Sequence, residues 1–253
     1  MGVITKIIET NSNEKTFIKN FIHTVTAADS RITCNKTDDE IDQQFSGSSA
    51  PTFTFNADGV FTITFTRLSA PSQPANRYSV TMRSLGTDNA SVSYEIYFTY
   101  NTTPASQSII RTFNLRIVSG QNTIVFILAN YDNNMAVGPG YFIQGMSFRD
   151  GSNTGFSASN NNVSGNAVMG KHFYFNGEYV LTANRLPYSC STPDSNRLEL
   201  ITSKVFIYSS QAVRHSSTAA LFDCSTLPSS GTELSIGGSR YYSLNANTLI
   251  PLT

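Results

Sequence analysis

The chain has 253 residues, enough for one large all-β domain or two smaller ones, and either can bury a core without disulfide or metal staples. Only 13% of the residues are charged, and 17 Lys plus Arg balance 17 Asp plus Glu. No bulk field draws in nucleic acid or an anionic membrane, so both are set aside as partners, and Ser, Thr and Asn must form the polar surface.

The segment Gly2 to Glu9 is a short strand or an extended arm. Its apolar run is too short for a secretory signal or a membrane span, and Lys6 stands where a myristoylation signal wants Ser or Thr. With nothing routing the chain through a glycosylating compartment, the sequons at Asn35, Asn89, Asn101 and Asn162 carry little meaning.

Asn11-Ser-Asn-Glu14 offers an N-cap with an acid three residues on, and Phe17, Ile18, Phe21, Ile22 and Val25 recur at helical spacing. The pattern predicts a helix over about residues 13–27. The stripe is expected to pack on this chain's own sheet, but it is wide for a helix covering one sheet edge, so Phe17, Phe21 and Val25 are also the candidate contact for a neighbouring subunit. Arg31 to Cys34 is a further strand candidate. The acidic run Asp38, Asp39, Glu40 and Asp42 lacks the alternating ligands and mid-loop glycine of a calcium loop and fits a solvated face or a helix start.

Thr52 to Phe65 alternates Phe53, Phe55, Phe61, Ile63 and Phe65 with small polar residues around Asp58-Gly59, the pattern of a tight β hairpin. Strand candidates follow at Tyr78 to Met82, Val92 to Tyr100, Ile109 to Val118, Ile124 to Leu128 and Tyr141 to Phe148, with Gly, Pro, Asn and Ser turns between them. Asp150 to Gly170 is rich in Gly, Ser and Asn, with a few apolar residues among them. The segments divide into an arm and helix (1–45), a β-sandwich domain (46–150), a linker or loop (151–170) and a C-terminal β module (171–253). In that module, Asn176-Gly177 and Gly237-Gly238 mark hairpins, Leu198 to Tyr208 is a longer strand, and Thr248 to Leu252 is the last. The fold class is mainly β: an antiparallel sandwich or jelly-roll-like body with one N-terminal helix and a smaller β-rich C-terminal module.

The chemistry-bearing motifs are absent: there is no GxSxG, HExxH, P-loop or regular GxGxxG. A Ser216, His215 and Asp223 set can be assembled on paper, but in a chain this rich in serine any histidine finds one nearby. No cofactor, metal site or catalytic residue is assigned, and the chain is read as a non-enzyme. Cys34, Cys190 and Cys224 have no CxxC spacing and are expected as free, buried thiols, with a Cys190 to Cys224 bridge as the alternative. Tyr97, Tyr100, Tyr131 and Tyr141 are candidates for a sugar-stacking platform, although alternation places Tyr97, like Phe61, nearer the core.

Ser119-Gly-Gln-Asn-Thr-Ile-Val-Phe126 resembles the late strand of galactose-binding-like jelly rolls, where a Gly and Asn turn leads into a buried strand. The closing segment, with Ala219-Ala-Leu-Phe-Asp-Cys-Ser-Thr226 and Glu233-Leu-Ser-Ile-Gly-Gly-Ser-Arg-Tyr-Tyr-Ser-Leu244, resembles the C-terminal ends of tailed-bacteriophage virion proteins. The second resemblance implies a structural subunit of the tail, baseplate, neck or head surface, located in the virion and partnered by other virion proteins and copies of itself. A glycan or host receptor is the alternative partner.

Circular dichroism should show a strand-dominated spectrum, because helical periodicity is clear only around Phe17 to Val25. More than about a third helix, the level of an ordinary mixed protein, would overturn the all-β reading.

Overall fold

A computed structural model describes residues 2–9, 13–47, 50–68, 75–85, 91–99, 112–131, 141–150, 153–160, 172–175, 178–180, 182–185, 201–209, 212–223, 233–236, 238–245 and 248–252. In chain order the elements are β1 (Gly2–Glu9), α1 (Glu14–Ala28), β2 (Ile32–Cys34), α2 (Asp38–Ser46), β3 (Thr52–Ala57), β4 (Phe61–Arg67), β5 (Ala75–Ser84), β6 (Ser91–Thr99), β7 (Thr112–Ser119), β8 (Thr123–Tyr131) and β9 (Tyr141–Asp150). After them come β10 (Asn153–Asn160), β11 (His172–Phe175), β12 (Glu178–Val180), β13 (Thr182–Arg185), β14 (Ile201–Ser209), β15 (Ala212–Asp223), β16 (Glu233–Ile236), β17 (Ser239–Asn245) and β18 (Thr248–Pro251).

The strands form three antiparallel sheets. The first is β2-β3-β4-β5-β6, the second β1-β7-β8-β9-β10-β11-β12, and the third β13-β14-β15-β18-β17-β16. Two burial patterns show how they stack. Along β3 and β4 burial alternates strictly, with Phe53, Phe55, Phe61, Ile63 and Phe65 buried and the intervening Thr and Asn half-buried. That is an outer sheet with one face on a core and one toward solvent.

Along β8 every residue from Thr123 to Leu128 is buried. Ile124, Phe126 and Leu128 join the core shared with the first sheet, while Val125 and Ile127 lie on the opposite face. A strand buried on both faces sits in a middle layer. The third sheet covers that second face: β15 lies beside β9, the Arg116 guanidinium stands 5.8 Å from the centre of the Tyr242 ring, and Tyr242, Ile250 and Leu252 are buried.

Helix α1 begins at Asn13, whose side chain accepts from the Thr16 backbone N–H at 3.1 Å. Its apolar stripe meets the inner face of the first sheet: the Phe21 ring lies 5.3 Å from Phe65, 5.9 Å from Phe55 and 6.3 Å from Phe53, edge to face with each. The expectation that Phe17, Phe21 and Val25 leave a surface for a neighbour is corrected. Their exposures are 2%, 1% and 0%, because one core collects both the helix and two sheets and absorbs the whole stripe.

The domain division is corrected too. Residues 153–160 are not linker but strand β10, paired along its length with β9, and Phe156 and Ala158 are buried in the shared core. The Gly, Ser and Asn composition concealed two alternating apolar side chains. The arm Gly2–Glu9 is a full strand paired with β7 from Gly2↔Ser119 to Glu9↔Thr112, so one sheet joins the first segment to residues 112–180. The predicted hairpins hold: Phe175 pairs with Glu178 and Ile236 with Ser239, and Asp58 and Gly59 turn with φ of 58° and 65°. The acidic run opens α2, with a capping box between Thr37 and Glu40.

The first sheet packs tightly on the middle sheet at Gly145 of β9. A Cβ there would stand 2.5 Å from Met82 Sδ and 2.9 Å from Phe61 Cε2, and Phe61 is held by Phe156 at 5.0 Å between ring centres. Gly145→Ala should therefore cost about 1–3 kcal/mol, the range of an overpacked core. Gly2→Ala, where nothing lies within 4 Å, is the matched control and should unfold in urea like the wild type. Equal midpoints for the two variants would contradict the close approach.

Candidate functional surfaces

The described charges hold elements of the fold to one another. At one end of α1, Glu14 accepts from Arg67 Nη2 at 2.8 Å and from the Tyr78 hydroxyl at 2.5 Å. The Arg67 and Glu14 side chains are 1% and 11% exposed, and burial pushes the Glu14 carboxyl above its usual range despite both partners. At the other end, Arg31 grips Asp29 through Nε at 3.1 Å and Nη2 at 2.7 Å and donates to the Gly120 carbonyl at 2.9 Å. Burial opposes ionisation of Asp29, but hydrogen bonds from the Arg31 side chain and backbone and from Ser119, with the Arg31 charge, hold it down at about 2. Arg149 of β9 donates to Asp58 Oδ2 at 2.9 Å and to the Asp58 carbonyl, tying the first hairpin to the middle sheet. Along the exposed side of α1, Lys19 and Lys15 reach Asp42 at 2.7 and 3.3 Å and His23 reaches Asp38 at 3.0 Å.

Sequence reading missed these clamps. Asp29 and Arg31 are two positions apart, a local signal for their pairing, whereas Glu14 with Arg67 and Asp58 with Arg149 meet only through the topology. A groove of about 460 Å³ borders the Asp29 to Arg31 corner, lined by Ala27, Ala28, Asp29, Ser30, Arg31 and Gln121.

The outer face of the first sheet has a different character. Cross-strand register sets Thr52, Thr66, Ser79 and Glu95 in one row, Thr54, Thr64, Thr81 and Ser93 in the next, and Thr33, Asn56, Thr62, Arg83 and Ser91 in a third. Hydroxyls bond across strands, Thr54 to Thr64 at 3.0 Å and Thr81 to Ser93 at 2.8 Å. The result is a grid made mostly of hydroxyl donors and acceptors, with Arg83 and Glu95 as the charged positions of these rows.

The His215, Ser216 and Asp223 set does not converge. His215 stands opposite Ile207 and Asp223 opposite Ile201, six residues along the same strand, which is about 20 Å. The side chains of Tyr97, Tyr131 and Tyr141, residue Tyr100, and both Cys190 and Cys224 lie outside the described residues. Cys34 is a free thiol, half-buried against the core, and burial pushes its pKa up. Among the described residues no group of three or more His, Cys, Asp or Glu is placed to hold a metal, and no helix is long and apolar enough to cross a membrane.

Comparison with known proteins returns no match: no family model fits the chain, and no curated protein or solved structure is significantly similar to it.

The Asp29 clamp has a pH signature. A carboxyl lowered from 3.8 to about 2 on folding contributes stability that is fully present above about pH 4 and is lost as pH falls toward 2. Asp29→Asn should be less stable than the wild type at pH 7, and the gap should close between about pH 4 and 2 when urea midpoints are followed across that range. A gap of constant size would remove the assignment.

Proposed function

We propose that the protein is a non-enzymatic structural subunit of a tailed-bacteriophage virion, assembling with other virion proteins and with copies of itself. The observation that carries this reading is the division of labour among its polar groups. Most of its described carboxylates are engaged in ion pairs that lock its own elements together, while the broad outer sheet offers neutral hydroxyls. A rigid three-layer β body with neutral faces suits repeated docking in a particle. Contacts of that kind depend on shape and backbone hydrogen bonding more than on charge. The resemblance of the Ala219 to Leu244 segment to virion C-termini supplies the assignment to phage.

A second reading, a carbohydrate or host-receptor-binding module, is favoured by the same grid, since the uncharged row Thr54, Thr64, Thr81 and Ser93 offers hydroxyls that match the donors and acceptors of a neutral saccharide. Mass spectrometry of gradient-purified phage particles carrying this gene should find the chain at constant stoichiometry to the major structural proteins. Its absence from purified particles would overturn the virion reading. A glycan array on the isolated protein tests the second.

A further inference from the structure

The groove at the Asp29 to Arg31 corner, about 460 Å³, falls within the size range of small-molecule sites. Its walls come from two distant parts of the chain. Ala27, Ala28, Asp29, Ser30 and Arg31 lead from the last turn of α1 to the start of β2, and Gln121 belongs to the turn between β7 and β8. Both walls are fixed. The Arg31 guanidinium, paired with Asp29, reaches across to the Gly120 carbonyl at 2.9 Å. On its other side the turn is pressed against β18: a Cβ on Gly120 would stand 2.7 Å from the Pro251 carbonyl oxygen, and the Gln121 N–H donates to that carbonyl at 3.4 Å. Walls held in this way lose little conformational freedom when a ligand settles between them.

The groups lining the groove select a class of ligand. The charges of Asp29 and Arg31 cancel, so neither a free anion nor a free cation meets a net opposite charge. The last turn of α1 has no basic side chain, and the partial negative charge of its carbonyls further disfavours an anion. What the groove offers is a mixture of donors and acceptors. The Arg31 side chain is 26% exposed, and its Nη1, which carries two N–H groups, makes one long contact of 3.5 Å with the Gln121 carbonyl, so donor capacity is left over. Ser30 and Gln121 are exposed and bring a hydroxyl and an amide, each able to donate and accept. The apolar lining is the methyl groups of Ala27 and Ala28, too little for the side-chain pockets that hold an extended peptide.

We propose that this groove binds a neutral saccharide, whose ring hydroxyls donate to the carbonyls at the end of α1 and accept from Arg31 Nη1 and the Gln121 amide, with ring C–H groups on Ala27 and Ala28. A hydroxyl is donor and acceptor at once, so two on neighbouring ring carbons match donors and acceptors set side by side and bring no charge. Asp29 is a positioning residue here, holding the guanidinium in place. The inference rests on the saccharide-binding reading, to which it gives a two-walled site separate from the hydroxyl grid, and it is independent of whether the chain is found in particles.

The full chain is applied to an array of neutral glycans ending in hexose, N-acetylhexosamine or deoxyhexose, with sialylated and sulfated counterparts beside them, and the strongest neutral responder is titrated in solution. Added negative charge should bring no gain. Gln121→Ala should weaken the responder about fivefold, the worth of one hydrogen bond. Ala27→Arg, which sets a long side chain in the groove, should weaken it about tenfold or more, since several hydrogen bonds are blocked together. Both positions are exposed and the Arg31 clamp is intact in each, so both variants should unfold in urea near the wild-type midpoint. Thr64→Val, on the outer sheet, should bind like the wild type.

Unchanged affinity in Ala27→Arg, or a loss confined to Thr64→Val, overturns the groove while the saccharide reading stands. A preference for the sialylated or sulfated glycans overturns the neutral class. An array on which no glycan responds removes both the groove and the reading it rests on.

Discussion

The structure depends on the burial of one helix stripe against one sheet face. Phe21 stands edge to face against Phe53, Phe55 and Phe65, while Phe53 and Phe65 stack at 4.9 Å. Phe55 reaches across to Phe126 at 6.4 Å. The cluster therefore glues α1, the outer sheet and the middle sheet in one place. Each such ring contributes several kcal/mol through burial, with a smaller increment from edge geometry. The polar clamps are arranged around this centre, Glu14 with Arg67 and Tyr78 on one side and Asp29 with Arg31 on the other. Breaking a buried pair such as Glu14 with Arg67 from one side would strand a charge at a cost of about 3–5 kcal/mol, so these groups enforce the docking that the aromatic cluster drives.

Much of the fold was legible because its outer layer obeys simple periodicities. Strict alternation in Thr52 to Phe65 and helical spacing in Phe17 to Val25 each correspond to an element packed on one side. The third layer was not legible, and the reason is physical. In a strand covered on both faces, inward and outward positions are both apolar, so Ile124-Val125-Phe126-Ile127-Leu128 announces a strand but not what lies on its far side. β10 was hidden for the opposite reason: Phe156 and Ala158 are sparse signals among Ser, Gly and Asn, and only pairing with β9 makes a strand of them.

The candidate surfaces were legible in part. The hydroxyl grid is visible in the sequence as the polar half of the alternation. The ion-pair clamps, by contrast, join residues up to 91 positions apart, and no local pattern encodes them. The wide stripe of α1 shows the limit of reasoning from an isolated element. Five apolar side chains exceed what one sheet edge covers, but here two sheets and the helix share a single core.

The partnership of β1 with β7 also sets an order of events during synthesis. Gly2 pairs with Ser119, so once β1 is made more than a hundred further residues must follow before its partner exists. At the usual pace of elongation that interval is roughly 5–20 seconds, long compared with the microseconds in which a hairpin forms. Meanwhile β3 and β4, adjacent in sequence, can close with α1 into a nucleus, and the middle sheet condenses on it later. Until then the Gly2–Glu9 segment lacks its β7 partner, and neighbouring chains on one messenger carry the same segment at the same time.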